Sequence, residues 1–497
     1  MKRKERVIVV GGGITGLTTA YALEKATKDL EIVVLEGGER LGGNIVTMHH
    51  QGFLIDGGPD SWVATKPYAT DLVKELGLAD EIIETLPDNR KVYIAHEGKL
   101  HPMPEGVMLG VPTEVGPIAA SELFTWDAKL RMGLELAVPS RAWFEGEDET
   151  VGAFLTRRFG DQLADRLAGP LLGGIFAGEA DHISVRAAFP QLVAAEKSYG
   201  SLILAMRAQL AARKKATKGK KTGGGSAFLS LKRGMGDLVL NLAHRIAAEI
   251  RVGAKVSAIT STEHGDPRGR FRVFAKGAGR LFADHVVFTG PAYAARDVFA
   301  TLDAAFDEAF SGFDYASTAT VFLAFKRKDI DHPLDAAGYI VPRSAGRAAL
   351  ASTWVGSKWE HRVPSGQALL RVFFGGDGRE SWLTKTDEEL AALAEREIGA
   401  FLPLKGKPIF ARVFRYAKAS PQPRLGHLGR MKALKALLAR TPGLHVAGNG
   451  YDGVGIPECI RQAREVAHSI HRSRAEVAPA TLADLSADRG SILPGND

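Results

Sequence analysis

The four apolar residues Val7 to Val10, held between a charged start and a run of glycines, predict a strand buried on both faces. Helical spacing follows from about Thr15 to Lys25. A second apolar run, EIVVLE, ends at Glu36 and completes a βαβ opening. Helical periodicity returns from Pro67 to Ala79 and through SELFTWDAKLRMGLELAV, then continues through VGAFLTRRFGDQLADRLAGPLLGGIF. Residues 105–211 therefore read as a mostly helical insertion. The run RKKATKGKKTGGGS, Arg213 to Ser226, reads as a solvated loop. Beyond it DLVLNLAHRIAAEI has the spacing of an amphipathic helix, and VGAKVSAIT, GRFRVFAKG and DHVVFTG read as strands ending at a Gly290-Pro291 turn. Alternation in ATVFLAFK, GYIVP and LLRVFFGG predicts a separate antiparallel sheet. The chain closes with a strand, GLHVAG, and a helix from about Pro457 to Arg472. A frayed tail is expected from Ser473.

Length changes this picture by implying two or three domains for 497 residues. Lys and Arg exceed Asp and Glu by 64 − 57 = 7, a balance that suits acidic small molecules, an anionic membrane surface or nucleic acid. No zinc-knuckle spacing or aromatic-basic RNA motif appears, so nucleic acid is set aside. A single cysteine, Cys459, excludes an intramolecular disulfide and fits a reducing compartment. The start MKRKERVIVVGGG reads as a buried strand and not a signal peptide. The longest apolar candidate for a span, Leu167 to Gly178, is too short and too rich in glycine to cross a bilayer. The expected location is the cytoplasm, free or on a membrane face.

The chemistry starts at Gly11, Gly13 and Gly16, a G-x-G-x-x-G turn directly after the first strand. Such a turn lets backbone approach a pyrophosphate and aims a helix N-terminus at it. Glu36 ends the next strand, where a carboxylate binds ribose hydroxyls. ERLGGNIVT follows, with Arg40, Gly42, Gly43 and Asn44, and then DGGPDSW from Asp56 to Trp62. Simple NAD dehydrogenases lack both. This Arg-x-Gly-Gly element resembles the glutathione-reductase-type FAD superfamily that includes amine oxidases and phytoene desaturases. In that superfamily the last strand and helix return to the FAD domain, which would bring Gly453 and Gly455 beside the flavin. The helix start at Val454 to Ile456 would then stabilise negative charge there.

The motifs GGGITGLTTAYAL, GGPDS, LHPMP, PLLGGIFAG, FPQLVAAEK, GSLILAM, LGHL and GNGYDGVGIPECIRQA run in the order seen in oxygen-dependent protoporphyrinogen oxidases and bacterial coproporphyrinogen III oxidases. The resemblance covers about residues 5–472. Amine oxidases share the first motif but usually carry a second Arg where this chain has Asn44. The resemblance implies an α/β fold: a Rossmann-type, glutathione-reductase-like FAD domain with an antiparallel-sheet substrate domain and a helical insertion. It implies an FAD domain from 1–85, 229–290 and 430–473, and a substrate domain from 86–104, 212–228 and 291–429. The helical unit, 105–211, would touch a membrane or close the cleft, and 474–497 would be a flexible tail.

Non-covalent FAD contacts carry over to Gly11, Gly12, Gly13, Ile14, Thr15 and Gly16, and to Glu36, Gly37, Arg40, Gly42, Gly43 and Asn44. They also carry over to Gly58, Pro59, Asp60 and Ser61, to Val256 and Tyr416, and to Gly448, Asn449, Val454, Gly455 and Ile456. The implied reaction is oxygen-dependent oxidation of a porphyrinogen with formation of peroxide. Its substrate is an apolar macrocycle bearing propionates, for which a large apolar cleft with a basic rim is expected. Gly173, Gly174, Ile175, Phe176, Ile340, Thr353 and Phe373 match pocket positions. Arg90, or else Lys91, is the expected propionate partner.

No metal constellation and no dedicated acid–base residue is expected, and His101 and His427 read as structural. Cys459 reads as a small buried hydrophobe. Two rivals are an amine oxidase or carotenoid desaturase of the same superfamily, and a non-catalytic FAD-binding protein. Monomer and homodimer both fit the sequence.

Overall fold

The computed structural model describes residues 3–217 and 225–477. A five-stranded parallel sheet forms the base of the molecule, in the order Glu249–Arg251, Leu30–Leu35, Glu5–Val10, His285–Phe288, Leu444–Val446. Both of its faces are covered, which is why its strands read as continuous apolar runs. Val7, Val9, Val34 and Val287 pack with Leu17 and Leu23 of the helix Ile14–Ala26 and with Ile460 and Ile470 of the closing helix Ile456–Val477. Ile8, Val10, Val33 and Val286 face the other way, onto the antiparallel strands Val256–Ser261, Phe271–Ala275 and Gly279–Ala283. The two ends of the chain therefore meet, helix against helix, over one sheet.

A seven-stranded sheet stands beside it, in the order Phe410–Gln422, Asp314–Lys326, Gln367–Gly375, Ala351–Trp354, Gly338–Ile340, Tyr93–His96, Lys99–Pro102. Pairing is antiparallel except between Gly338–Ile340 and Tyr93–His96. Val321, Leu323, Leu370, Val372, Tyr339 and Trp354 share one face and pack with Leu390, Ala394 and Ile398 of the helix Asp387–Gly399. The alternate residues look to the other side. A capping box fixes that helix: Thr386 Oγ1 accepts from Glu389 N–H while Glu389 accepts from Thr386 N–H.

The helical unit has its own core, including Phe154, Leu155, Leu167, Leu172 and Leu192, which also takes in Ile94, Ile340 and Val454 from outside. Arg158 is fully buried in it and bonds the carboxylates of Glu135 and Glu196. Burial of that kind is tolerated only with every partner present. A short hairpin, Val107–Met108 with Val111–Pro112, interrupts the expected helices at their start.

Three expectations need correction, and one strand is added. The helix expected over 237–250 ends at Arg245, and Glu249–Arg251 becomes the edge strand of the parallel sheet. The cause is Glu24, whose carboxylate accepts from the N–H groups of Ala247 and Ala248 and draws the chain out of the helix. Arg213 to Thr217 belong to the helix Leu202–Thr217 and not to a loop, while 218–224 lie outside the described residues. The closing helix extends past Ser473 to Val477; the tail beyond lies outside the described residues. The strand Gly279–Ala283, made possible by the turn at Gly277 (φ +79°), was not anticipated. No helix among the described residues is long and apolar enough to cross a membrane.

Candidate active site

The glycine turn sits at the carboxyl ends of the parallel strands. Gly11 has φ +111°, and a Cβ there would stand 2.5 Å from Thr289 Oγ1. A Cβ on Gly16 would strike the Gly11 carbonyl oxygen, so the helix can approach the turn only without a side chain. Thr289 was not anticipated. Its hydroxyl donates to Val10 O at 2.9 Å and ties the turn to the neighbouring strand. Gly13 caps the helix and offers it no side-chain acceptor, so the first-turn N–H groups, at Ile14 and Thr15, are left for an anion. Opposite Gly13 stands Gly43, the nearest atom to a Gly13 Cβ being Gly43 Cα at 3.9 Å, and Gly13 bridges Gly42.

Glu36 accepts from the N–H groups of Gly12 and Gly38, each at 2.6 Å, which fixes its carboxylate over the turn beside Gly37. Arg40 donates to the carbonyls of Leu41, Gly43 and Ile45 and so sets the shape of the loop through Asn44. Asn44 O closes on Gly58 too tightly for any side chain there. Beyond Pro59, Asp60 accepts from Ser61 Oγ at 2.8 Å. Val256 lies close by, since Glu36 O accepts from Ala254 N–H at 2.7 Å. Tyr416 brings its hydroxyl to 3.4 Å from the Cβ position of Gly58. Burial pushes that phenol up to about 12, so it stays neutral.

From the carboxyl end, Gly448 (φ +137°) abuts Thr289 O, and Asn449 Oδ1 accepts from Gly455 N–H at 3.2 Å. That bond corrects one expectation: of the N–H groups from Val454 to Ile456, the one on Gly455 is already taken. Cys459 is buried in the sheet core, where desolvation pushes its thiol up to about 11. It is packing.

Ile340, Thr353 and Phe373 form a second group. Each is half-buried between fully buried neighbours, so they share the face opposite Tyr339, Trp354 and Val372. Ala351 pairs with both Ile340 and Phe373, which puts the three strands in register as a floor. Ile340 and Val454 touch the same helical core. The helix Gly169–Phe176 supplies Gly174, whose Cβ position has nothing within 4 Å, and Ile175, which is 57% exposed. Gly173 and Phe176 are different. A Cβ on Gly173 would sit 2.6 Å from Gly178 O, and Phe176 is buried edge-on against Phe189 while its carbonyl accepts from Gln422. Those two positions serve packing.

The expected propionate partners do not join the floor in the same way. Lys91 pairs with Asp335 at 3.9 Å, on the side of the sheet where Tyr93 also bonds Asp335, opposite to Ile94 and Ile340. Arg90 donates to Glu84 Oε2 at 3.1 Å and to Thr85 O. His427 bonds Tyr451 O at 3.0 Å, and His101 stands beside His96.

The family model for flavin containing amine oxidoreductase matches residues 14–471. The chain belongs to that family. It is 31% identical to the coproporphyrinogen III oxidase of Bacillus subtilis, over 93% of this chain and 97% of that one. It is 30% identical to the chloroplastic protoporphyrinogen oxidase of Oryza sativa, over 93% and 87%. A solved structure from Exiguobacterium sp. 255-15, named for protoporphyrinogen oxidase, superposes with a TM-score of 0.83 at 32% identity, covering 94% of this chain and 99% of that one.

The protein is thus an FAD-dependent oxidoreductase, and its glycine turn, uncapped helix and Glu36 carboxylate suit a dinucleotide. Less expected is the charge beneath the loop. Asp60 Oδ2 accepts from Lys358 Nζ at 2.8 Å and Trp359 Nε1 at 3.0 Å. Burial alone would raise that carboxyl, but the charges of Lys358 and Arg371 outweigh it and hold the group well below the usual carboxylate range. Arg362 bonds Asp56 at 3.1 Å in the same layer. Neither Lys358 nor Arg371 was anticipated. The signal available was a single Arg inside the otherwise apolar LLRVFFGG.

Proposed function

We propose that the protein oxidises a porphyrinogen to its porphyrin with dioxygen as the acceptor, and that it takes both coproporphyrinogen III and protoporphyrinogen IX. The observation that carries this reading is the half-buried face shared by Ile340, Thr353 and Phe373, and the open Cβ position of Gly174 is a second feature in its favour. A flat, apolar macrocycle suits a largely apolar sheet face and a helix surface bare of side chain. The names of the relatives support the same substrate class.

When bound, FAD supplies a two-electron acceptor that dioxygen can reoxidise. The chain's share is to hold a bridging carbon of the macrocycle toward the flavin and to keep water away from it. No side chain of the described floor is a general base, and loss of a ring N–H proton follows from the acidity that oxidation itself confers. The two substrates present the same bridging carbons and differ only in their rim groups, so both should react.

The exposed apolar residues Val115, Trp126, Leu130 and Leu134 of the helical unit support a peripheral hold on the cytoplasmic membrane face.

The test is aerobic porphyrin fluorescence with each porphyrinogen at matched concentration, run beside a peroxide assay. About three peroxides per porphyrin are expected from successive two-electron steps. Oxidation of an amine or a carotene with neither porphyrinogen consumed would assign the site to another branch of the family. Flavin that never turns over would make the protein a non-catalytic FAD binder.

A further inference from the structure

We propose that Arg371 is a positioning residue that ties the flavin-binding loop to the substrate floor. Its side chain touches both. Nη2 donates to Gly57 O at 3.0 Å and to Gly58 O at 2.7 Å. The guanidinium carbon lies 4.4 Å from the centroid of the Phe373 ring and 5.3 Å from that of Phe322. Arg371 is 6% exposed, and its Nε has no hydrogen-bond partner.

The loop it grips has no slack. Gly57 O also accepts from Thr320 Oγ1 at 2.9 Å, so two donors from the same sheet converge on one carbonyl. A Cβ on Gly57 would stand 2.5 Å from the Phe414 ring, and Gly58 is closed off by Asn44 O. Two residues on, Asp60 is held by Lys358 and Trp359. Across this contact the loop side supplies two carboxylates, Asp56 and Asp60, and the sheet side supplies three cations, Arg362, Lys358 and Arg371. Asp56 pairs with Arg362 and Asp60 with Lys358. Arg371 makes no direct ion pair among the described residues: its charge acts on Asp60 through space, while its hydrogen bonds go to two backbone carbonyls, an arrangement that fixes distance and angle.

The register carries the consequence to the floor. Arg371 lies opposite Thr353, and Phe373, two residues along the same strand and face, lies opposite Ala351 and Thr320. A planar guanidinium against the Phe373 ring sets the ring's tilt, while its other edge sets the height of the Gly57–Gly58 peptide. A shift in one is passed to the other through a rigid group.

The test compares Arg371→Met and Arg371→Lys with the wild-type holoenzyme. Three quantities are read: the FAD dissociation constant of the apoprotein from quenching of flavin fluorescence, the melting temperature, and KM against kcat for coproporphyrinogen III. Arg371→Met should weaken FAD by about tenfold or more, because two buried carbonyls lose their charged donor. Arg371→Lys should recover most of the FAD affinity, since an ammonium can bridge both carbonyls, yet keep a KM raised about fivefold because it cannot lie flat on Phe373. A purely structural role would lower the melting temperature of both variants and leave the FAD constant of the folded fraction unchanged.

A folded Arg371→Met variant whose FAD constant stays within about twofold of wild type overturns the proposal. If that variant does not fold, Arg371→Lys decides, and wild-type values of both the FAD constant and KM overturn it. The floor half rests on the porphyrinogen reading, but the FAD titration needs no porphyrinogen. FAD weakened as expected in a protein that oxidises neither porphyrinogen would sink that reading and leave the loop clamp standing.

Discussion

The proposed cradle for the dinucleotide and the proposed floor for the substrate are built on opposite plans. The cradle is backbone. Gly11, Gly16, Gly58 and Gly448 shape it by the absence of side chains, and where a Cβ would go there is a carbonyl or a hydroxyl. The floor is side chains on three strands, Ile340, Thr353 and Phe373, whose neighbours along each strand serve a different core. The difference is one of tolerance. A backbone site fails at the first added methyl group, whereas a side-chain surface changes by degrees and can be retuned for a different macrocycle rim.

The largest effect that would break this contrast lies in the cradle. Gly16→Ala should cost about 3 kcal/mol or more and abolish FAD retention, since its Cβ meets the Gly11 carbonyl and backbone cannot swing aside. Thermal denaturation with and without FAD measures both. A stable, yellow Gly16→Ala protein would mean that the turn has slack and that the cradle is no stricter than the floor.

Next in size is Glu36→Ala, which removes the acceptor for the Gly12 and Gly38 N–H groups and, with it, the proposed ribose ligand. A loss of about 1.5–3 kcal/mol in FAD binding is expected, read by titration of the apoprotein. Unchanged affinity would take Glu36 out of the cradle.

The two adjacent glycines of the helix Gly169–Phe176 sharpen the comparison within a single turn. Gly173→Ala should destabilise the protein by about 1–3 kcal/mol, because its Cβ falls 2.6 Å from Gly178 O. Gly174→Leu should leave the melting temperature and FAD content within error, because its side chain enters open space, and should stop turnover if that space is the proposed cleft. Equal destabilisation by both would mean that Gly174 faces packed protein and that the cleft lies elsewhere.

These differences follow what the sequence could and could not carry. A glycine turn after an apolar run is a local rule, and so is a carboxylate at the end of the next strand, so the cradle could be read from short stretches. The parallel strands were legible because both faces are buried. The strand Phe410–Gln422 was not anticipated: it lies at the edge of the seven-stranded sheet and carries Arg412, Arg415 and Lys418 along its length. Charged edges are how sheets avoid pairing with strangers, and they hide the alternation that marks a strand. The end of the helix at Arg245 depends on Glu24, more than two hundred residues earlier in the chain, and no local pattern contains that. Arg371 is the same kind of case, since only the fold brings Gly57 and Gly58 to it.

The smallest effect tests where the floor ends. A basic residue beside the strand Tyr93–His96 is a natural candidate for a propionate, and Lys91 stands two positions before Tyr93. Strand side chains alternate, so Lys91 shares the side of Tyr93, where both reach Asp335 and where the helix Asp387–Gly399 packs. Ile94, on the other side, belongs with Ile340 and the helical core. Lys91 is also 64% exposed, and an ion pair at such a position is worth about 0–1 kcal/mol. Lys91→Ala should therefore leave KM for coproporphyrinogen III within about twofold, because removing a side chain on the far face changes no contact made to the substrate in either ground or transition state. Steady-state kinetics on the purified variant is the measurement. A tenfold rise in KM with kcat unchanged would mean that a propionate reaches around the end of the sheet to Lys91. The floor would then extend to both faces of the strand, and the side-chain site would be as unforgiving as the backbone one.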